Sequence, residues 1–144
     1  MVGEFSIKRI TKLDAVVLQQ FIAAAGSSIK TFRYFDKRPI EILDNHKLTL
    51  LGFVGDKPIG YGHLDDEGGK TWLGIALIEG YTGKGFGKKI MDYLLTYADE
   101  SNLPEIHLAV DKDNLAAVSL YNKLNFDLVK ELNDAVILMK RLKQ

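Results

Sequence analysis

The 144-residue chain carries 19 basic and 19 acidic residues, and without a basic excess a general nucleic-acid binder is not expected. It has no cysteine, which excludes disulfides, thiolate metal sites and a cysteine nucleophile. No basic-then-apolar leader and no apolar run of about 18 residues is present, so no membrane role is expected and the chain reads as one cytoplasmic domain, residues 1–144.

The elements follow in chain order. "EFSIKRI" alternates apolar and polar residues and predicts a strand. Asp14 is expected to cap a helix over "AVVLQQFIAAA" that ends at Gly26. Residues 27–45 are ambiguous: the cluster "TFRYFDKR" precedes Pro39, which can start a short helix "PIEILDN". "HKLTLLGFV", a Gly-Asp turn and "KPIGYGHLD" predict a hairpin, and "TWLGIALI" a third antiparallel strand after the turn "DEGGK". A glycine-dense loop then leads into a helix whose stripe is Phe86, Ile90, Met91, Leu94, Leu95 and Ala98. "IHLAV" is a short strand, parallel to the one before the helix. Asn114 caps a second helix that ends at Asn125, a residue able to take the left-handed conformation. "FDLVKEL" and "AVILMKRL" close the chain as a hairpin. The order predicts a mixed α/β sheet, mostly antiparallel with one parallel join.

The loop "EGYTGKGFGKK" raises the functional question. A strand, then glycines, then a helix N-terminus flanked by Lys84, Lys88 and Lys89 suits an anion close to unpaired backbone N–H groups. Two phosphate motifs fail here. In the P-loop register Thr82 to Lys89 the first glycine and the final hydroxyl are missing. The dinucleotide pattern G-x-G-x-x-G meets Lys88 or Ile90 where its third glycine belongs. The alternative is a tight strand-to-helix turn with solvated lysines.

"TGKGFG" resembles the R/Q-x-x-G-x-G/A signature of the GNAT superfamily of acyl-CoA-dependent N-acyltransferases, with Gly85 and Gly87 in the glycine positions and Thr82 where Arg or Gln is usual. "NLAAVSLYNKLNF" is similar to that family's second motif at Asn114, Ala117, Leu120, Tyr121, Lys123 and Phe126, with Asn125 replacing a glycine. The resemblance covers nearly the whole chain. It implies a GNAT-like α/β (α+β) fold with a mostly antiparallel sheet of six to seven strands and about four helices. It further implies acetyl-CoA as acyl-donor cosubstrate and acetyl transfer to a primary amine of a small molecule: an amino sugar, an amino acid or a polyamine. A protein N-terminus or lysine as acceptor, and a non-catalytic acyl-CoA-binding module, are the alternatives. A homodimer is compatible with the family.

The resemblance also assigns residues. Thr82, Gly83, Lys84, Gly85, Phe86, Gly87 and Lys88 would hold the pyrophosphate, with Asn114 nearby. Backbone of Ile75 and Leu77 would pair with pantetheine, in a gap where the fourth strand splays from the fifth and Gly74 eases a bulge. Tyr121 would be the general acid for the departing thiolate, or else a packing tyrosine. Glu79, at the end of the same strand, is the first candidate base, with His63, Asp65 and His107 behind it. His63, Arg33 and Arg38 are candidate acceptor contacts, and Phe32, Tyr34 and Phe35 a candidate apolar wall. Trp72 reads as core or cleft wall.

Overall fold

The computed structural model describes residues 3–25 and 38–144. Strand β1 (Phe5–Arg9) leads through a 3₁₀ turn (Lys12–Asp14) into α1 (Ala15–Ala25). A second 3₁₀ segment (Ile40–Asn45) precedes β2 (His46–Val54), β3 (Lys57–Glu67) and β4 (Lys70–Leu77). Then come α2 (Phe86–Glu100), β5 (Glu105–Asp111), α3 (Leu115–Lys123), β6 (Asp127–Glu131) and β7 (Val136–Leu142). The seven strands among the described residues form one sheet in the order β1-β2-β3-β4-β5-β7-β6. Every neighbouring pair is antiparallel except β4–β5, which is parallel. This is the mixed, mostly antiparallel sheet expected.

The predicted helix starts need one correction. Asp14 does not cap α1. A 3₁₀ turn precedes the helix, so the cap falls three residues earlier. There the Thr11 side chain accepts from Leu13 N, and Asp14 Oδ2 accepts from Thr11 N at 3.0 Å, as a capping box. Pro39 caps the second 3₁₀ segment with φ −73° and ψ 163°, outside it rather than as its first residue. Asn125 does take the left-handed conformation, with φ 72°.

Period-two alternation divides the core between the two sheet faces. On one face the α2 stripe Ile90, Met91, Leu94, Leu95 and Ala98 packs on Leu48, Leu50, Leu64, Leu73, Ile106 and Leu108. The glycines of β3 make this close approach possible. A Cβ on Gly60 would lie 2.7 Å from Ile90 Cδ1, and one on Gly62 would lie 2.7 Å from Ile90 Cγ2. The other face buries Leu18 and Phe21 of α1 against Leu51, Tyr61, Ala76 and Ile78. Phe86 departs from the stripe and stacks on Phe5, centroids 4.7 Å apart.

One ion pair fastens the C-terminal end of α2 to β7. Buried Arg141 donates to both Asp99 oxygens at 3.0 and 3.1 Å, and its Nε donates to Leu124 O at 3.1 Å. Asp99→Asn leaves this guanidinium charge without its partner, so a loss of about 1–3 kcal/mol is expected at neutral pH. The Arg141 hydrogen bonds hold the Asp99 carboxyl below its ordinary value. A depressed carboxyl pKa stabilises the fold above the unfolded value of about 3.9, and the contribution fades as pH falls through the folded value. Denaturant titrations at pH 7 and pH 3 check this: the gap between wild type and Asp99→Asn should be wide at pH 7 and narrow at pH 3.

Candidate active site

The loop between β4 and α2 needs glycine for its backbone. Gly80, Gly83 and Gly85 have φ of 92°, 74° and 84°, a region costly for residues with a Cβ. A Cβ at any of the three would meet nothing within 4 Å, so conformation rather than crowding sets the choice. Gly85 is the N-cap of α2 and offers no side-chain acceptor. The first amides of α2 therefore keep the unmet donor capacity of a helix start, at its positive end. Gly87 differs: it lies in the first turn of α2, where a Cβ would come within 3.2 Å of Leu77 Cδ1.

These amides form one end of a cleft of about 520 Å³. Ile75, Ala76 and Leu77 of β4 wall one side; Ala116, Ala117, Leu120 and Tyr121 of α3 wall the other, with Asn114 at the helix start. Thr82, Gly83, Gly85, Gly87 and Lys88 complete it. Asn114 also caps α3, its Oδ1 accepting from Ala117 N at 3.3 Å.

A second cavity, about 200 Å³, opens between β4 and β5 and shares Ile75, Asn114 and Tyr121 with the cleft. It exists because β4 and β5 pair only at Trp72 and His107, beyond which the strands part. The expected splay is present, but the expected bulge at Gly74 is not: β3 and β4 stay in unbroken register from Gly60–Leu77 to Glu67–Lys70. Gly74 instead makes room for the His63 ring, since a Cβ there would lie 2.6 Å from both Cε1 and Nε2.

Tyr121 stands where the two cavities meet. It is 7% exposed, and burial pushes its hydroxyl up to about 12, so it stays protonated at neutral pH. Lys88 lines the cleft and pairs with Asp92 at 2.9 Å, one helical turn away. Lys84 and Phe86 wall neither cavity, and Lys89 Nζ lies 5.5 Å from the Phe5 ring centroid. Glu79 is exposed just past buried Ile78 and also walls neither cavity.

The remaining candidates gather on the α1 side of the sheet. His63 is 2% exposed, a buried residue rather than an open acceptor contact. Its Nδ1 lies 2.6 Å from the Tyr61 hydroxyl, and its ring centroid lies 4.6 Å from that of His46. Burial first, then His46 and Arg38, hold the His63 imidazole well below its ordinary value; burial and Arg38 bring His46 to about 4. Both are therefore neutral at pH 7. Asp65 is buried on the same strand. His107 Nε2 lies 3.1 Å from Glu105, and its ring centroid lies 5.4 Å from that of Trp72. Arg38 pairs with Glu67 at 3.3 Å. Arg33, Phe32, Tyr34 and Phe35 lie outside the described residues.

Two features went unread in the sequence. Ala116 contributes to the cleft wall, although the 117-120-121 spacing of α3 marks that face. His46 was not singled out; the register, with a bulge between His46 and Leu48, sets it opposite Asp65.

The acetyltransferase (GNAT) family model matches residues 16–126, and the chain belongs to this family. It is 30% identical over 138 residues to the uncharacterized N-acetyltransferase YobR of Bacillus subtilis, a match covering 90% of this chain and 52% of YobR. Over 82 residues it is 33% identical to a spermine/spermidine N(1)-acetyltransferase of Bacillus subtilis, covering 54% of each. The chain thus spans about half the length of these relatives. In fold it is similar to the PaiA N-acetyltransferase of Thermoplasma acidophilum, solved with coenzyme A, at TM-score 0.76 and 17% identity over 96% of this chain and 99% of that one.

Proposed function

We propose that the protein is an acyl-CoA-dependent N-acetyltransferase that moves an acetyl group from acetyl-CoA to a primary amine of a small molecule. The observation that carries this reading is the continuity of the cleft. It runs from uncapped helix amides, where a pyrophosphate is favoured, along apolar β4 and α3 walls to a strand gap beside Tyr121. The open space at Gly83 and Gly85 suits backbone approach to a phosphate, and the apolar walls suit a pantetheine arm.

In this reading the amine attacks the thioester carbonyl as the neutral base, so its N–H proton must leave. Glu79 walls neither cavity, so it would take that proton through water rather than directly. Backbone N–H groups of β4 would stabilise the oxyanion. The C–N bond forms, the C–S bond breaks, and the electron pair leaves on sulfur. With its hydroxyl near 12, Tyr121 is a weaker acid than a thiol of about 8.5. Full proton transfer to sulfur is uphill. Tyr121 therefore supports the developing thiolate by donating a hydrogen bond, and solvent supplies the final proton. A polyamine heads the list of acceptors because of the spermine/spermidine relative.

The test is release of free CoA thiol from acetyl-CoA across a panel of amines that includes polyamines, amino sugars, amino acids and a peptide N-terminus. Amine-dependent release is expected. Tight binding with no release for any amine would replace the enzyme with a binding module.

The lysines give a second check. Lys88 alone of the three lines the cleft, so Lys88→Ala should weaken acetyl-CoA binding more than Lys84→Ala or Lys89→Ala. The loss should shrink between low salt and about 1 M salt, where the screening length is roughly 3 Å. Calorimetric titration at two salt concentrations reads it, and equal affinity of Lys88→Ala and wild type at low salt would remove the lysine from the site.

A further inference from the structure

The wall of the β4–β5 gap is one glycine thin at a single place. On β4 that wall is Leu73, Gly74 and Ile75. Leu73 and Ile75 send their side chains into the core beneath α2, and Gly74 sends none. His63 pairs with Gly74 in register across β3–β4. Its ring fills the place of the missing side chain, with Cε1 and Nε2 at 2.6 Å from where a Cβ would sit. The ring is held on several sides. It is 2% exposed, the Tyr61 hydroxyl lies 2.6 Å from Nδ1, and the His46 ring centroid lies 4.6 Å away. Beyond Gly74 the gap ends where β4 meets β5 at Trp72 and His107.

We propose that His63 is a specificity-determining residue that closes the acyl end of the gap at Gly74 and restricts the donor to the shortest acyl chain. This rests on the acyl-CoA reading above. A thioester sulfur beside Tyr121 directs its acyl group along the gap toward Gly74. An acetyl methyl ends there, and each further methylene has to displace a buried, braced imidazole. Close packing makes such displacement costly. The polar ring suits the place because its Nδ1 has a hydroxyl partner, so a rigid group is buried without an unmet polar atom on that side.

The experiment compares acetyl-, propionyl- and butyryl-CoA with wild type, His63→Ala, and the double variant His63→Ala with Gly74→Ala. Both binding affinity and kcat/KM are measured. Wild type should prefer acetyl over propionyl by about 10-fold or more, the scale of one methylene in a fitted pocket. In His63→Ala that preference should fall to roughly 3-fold or less, with butyryl-CoA accepted, because the vacated volume adjoins Gly74. In the double variant the new methyl refills part of that volume, and the preference for acetyl should return. His63→Asn shortens the side chain while keeping a polar group for Tyr61, and it carries the same comparison if His63→Ala does not fold. An unchanged chain-length preference in a folded His63 variant overturns the proposal, as does a wild type indifferent to chain length. Binding without turnover would sink the N-acetyltransferase reading while the affinities still decide the role of His63. Failure of wild type to bind any of the three thioesters would overturn both.

Discussion

Tyr121→Phe should lower the rate of acetyl transfer by roughly 10- to 1,000-fold, the range for losing a positioned proton or hydrogen-bond donor. Phenylalanine keeps the ring, its contact with Phe126 at 5.9 Å between centroids, and its share of the core. It removes only the hydroxyl, which burial keeps protonated. Affinity for acetyl-CoA should stay within a few-fold, because in the proposed reading the helix amides and Lys88 would hold the other end of the donor. The loss should therefore appear in kcat, since the hydroxyl matters only as the C–S bond breaks. Single-turnover kinetics at saturating amine separate this from slow product release. Normal turnover by the Phe variant would reduce Tyr121 to a packing residue, and Tyr121→Ala would then cost stability alone.

Gly85→Val should weaken CoA binding by at least about 10-fold, equivalent to about 1.4 kcal/mol. Two effects combine. A β-branched side chain at φ 84° is strained, at a cost of order 1–3 kcal/mol. The side chain also enters open space in front of the amides that face the cleft. Gly68 separates them: it has φ 63°, equally open surroundings, and a place in the β3–β4 turn away from the cleft. Gly68→Val should lose comparable stability and no affinity. Gly87→Val should lose both, because its Cβ presses on Leu77. Equal affinity of folded Gly85→Val and wild type, by calorimetry, would contradict the assignment of the loop.

These expectations rest on features that differ in how far the sequence reveals them. The strands were legible because alternation sorts side chains between two buried faces, and α2 because its stripe is continuous from Ile90 to Ala98. The cleft was legible because glycines, a helix start and the α3 motif are local signals. The roles of Gly60, Gly62 and Gly74 were not. Each depends on a side chain distant in sequence or across the sheet: Ile90 for the first two, His63 for the third. The surroundings of Glu79 were hidden for a similar reason. Its position at a strand end was readable, but where the chain turns after Ile78 decides whether it faces the gap. The His46–His63 contact is a tertiary fact: by alternation His46 would share the face of Leu48 and Leu50, and the bulge between His46 and Leu48 turns it to the side of His63.

The most direct measurement is a crystal structure of the protein with coenzyme A bound. The predicted result has the pyrophosphate against the amides at the start of α2, beside Gly85 and Gly87. The pantetheine arm lies between α3 and β4 along Ile75 and Leu77, with the sulfur beside the Tyr121 hydroxyl. Coenzyme A seated elsewhere, for instance in the groove of Arg9, Tyr93 and Tyr97 on the outer side of α2, or with its sulfur remote from Tyr121, would contradict the account.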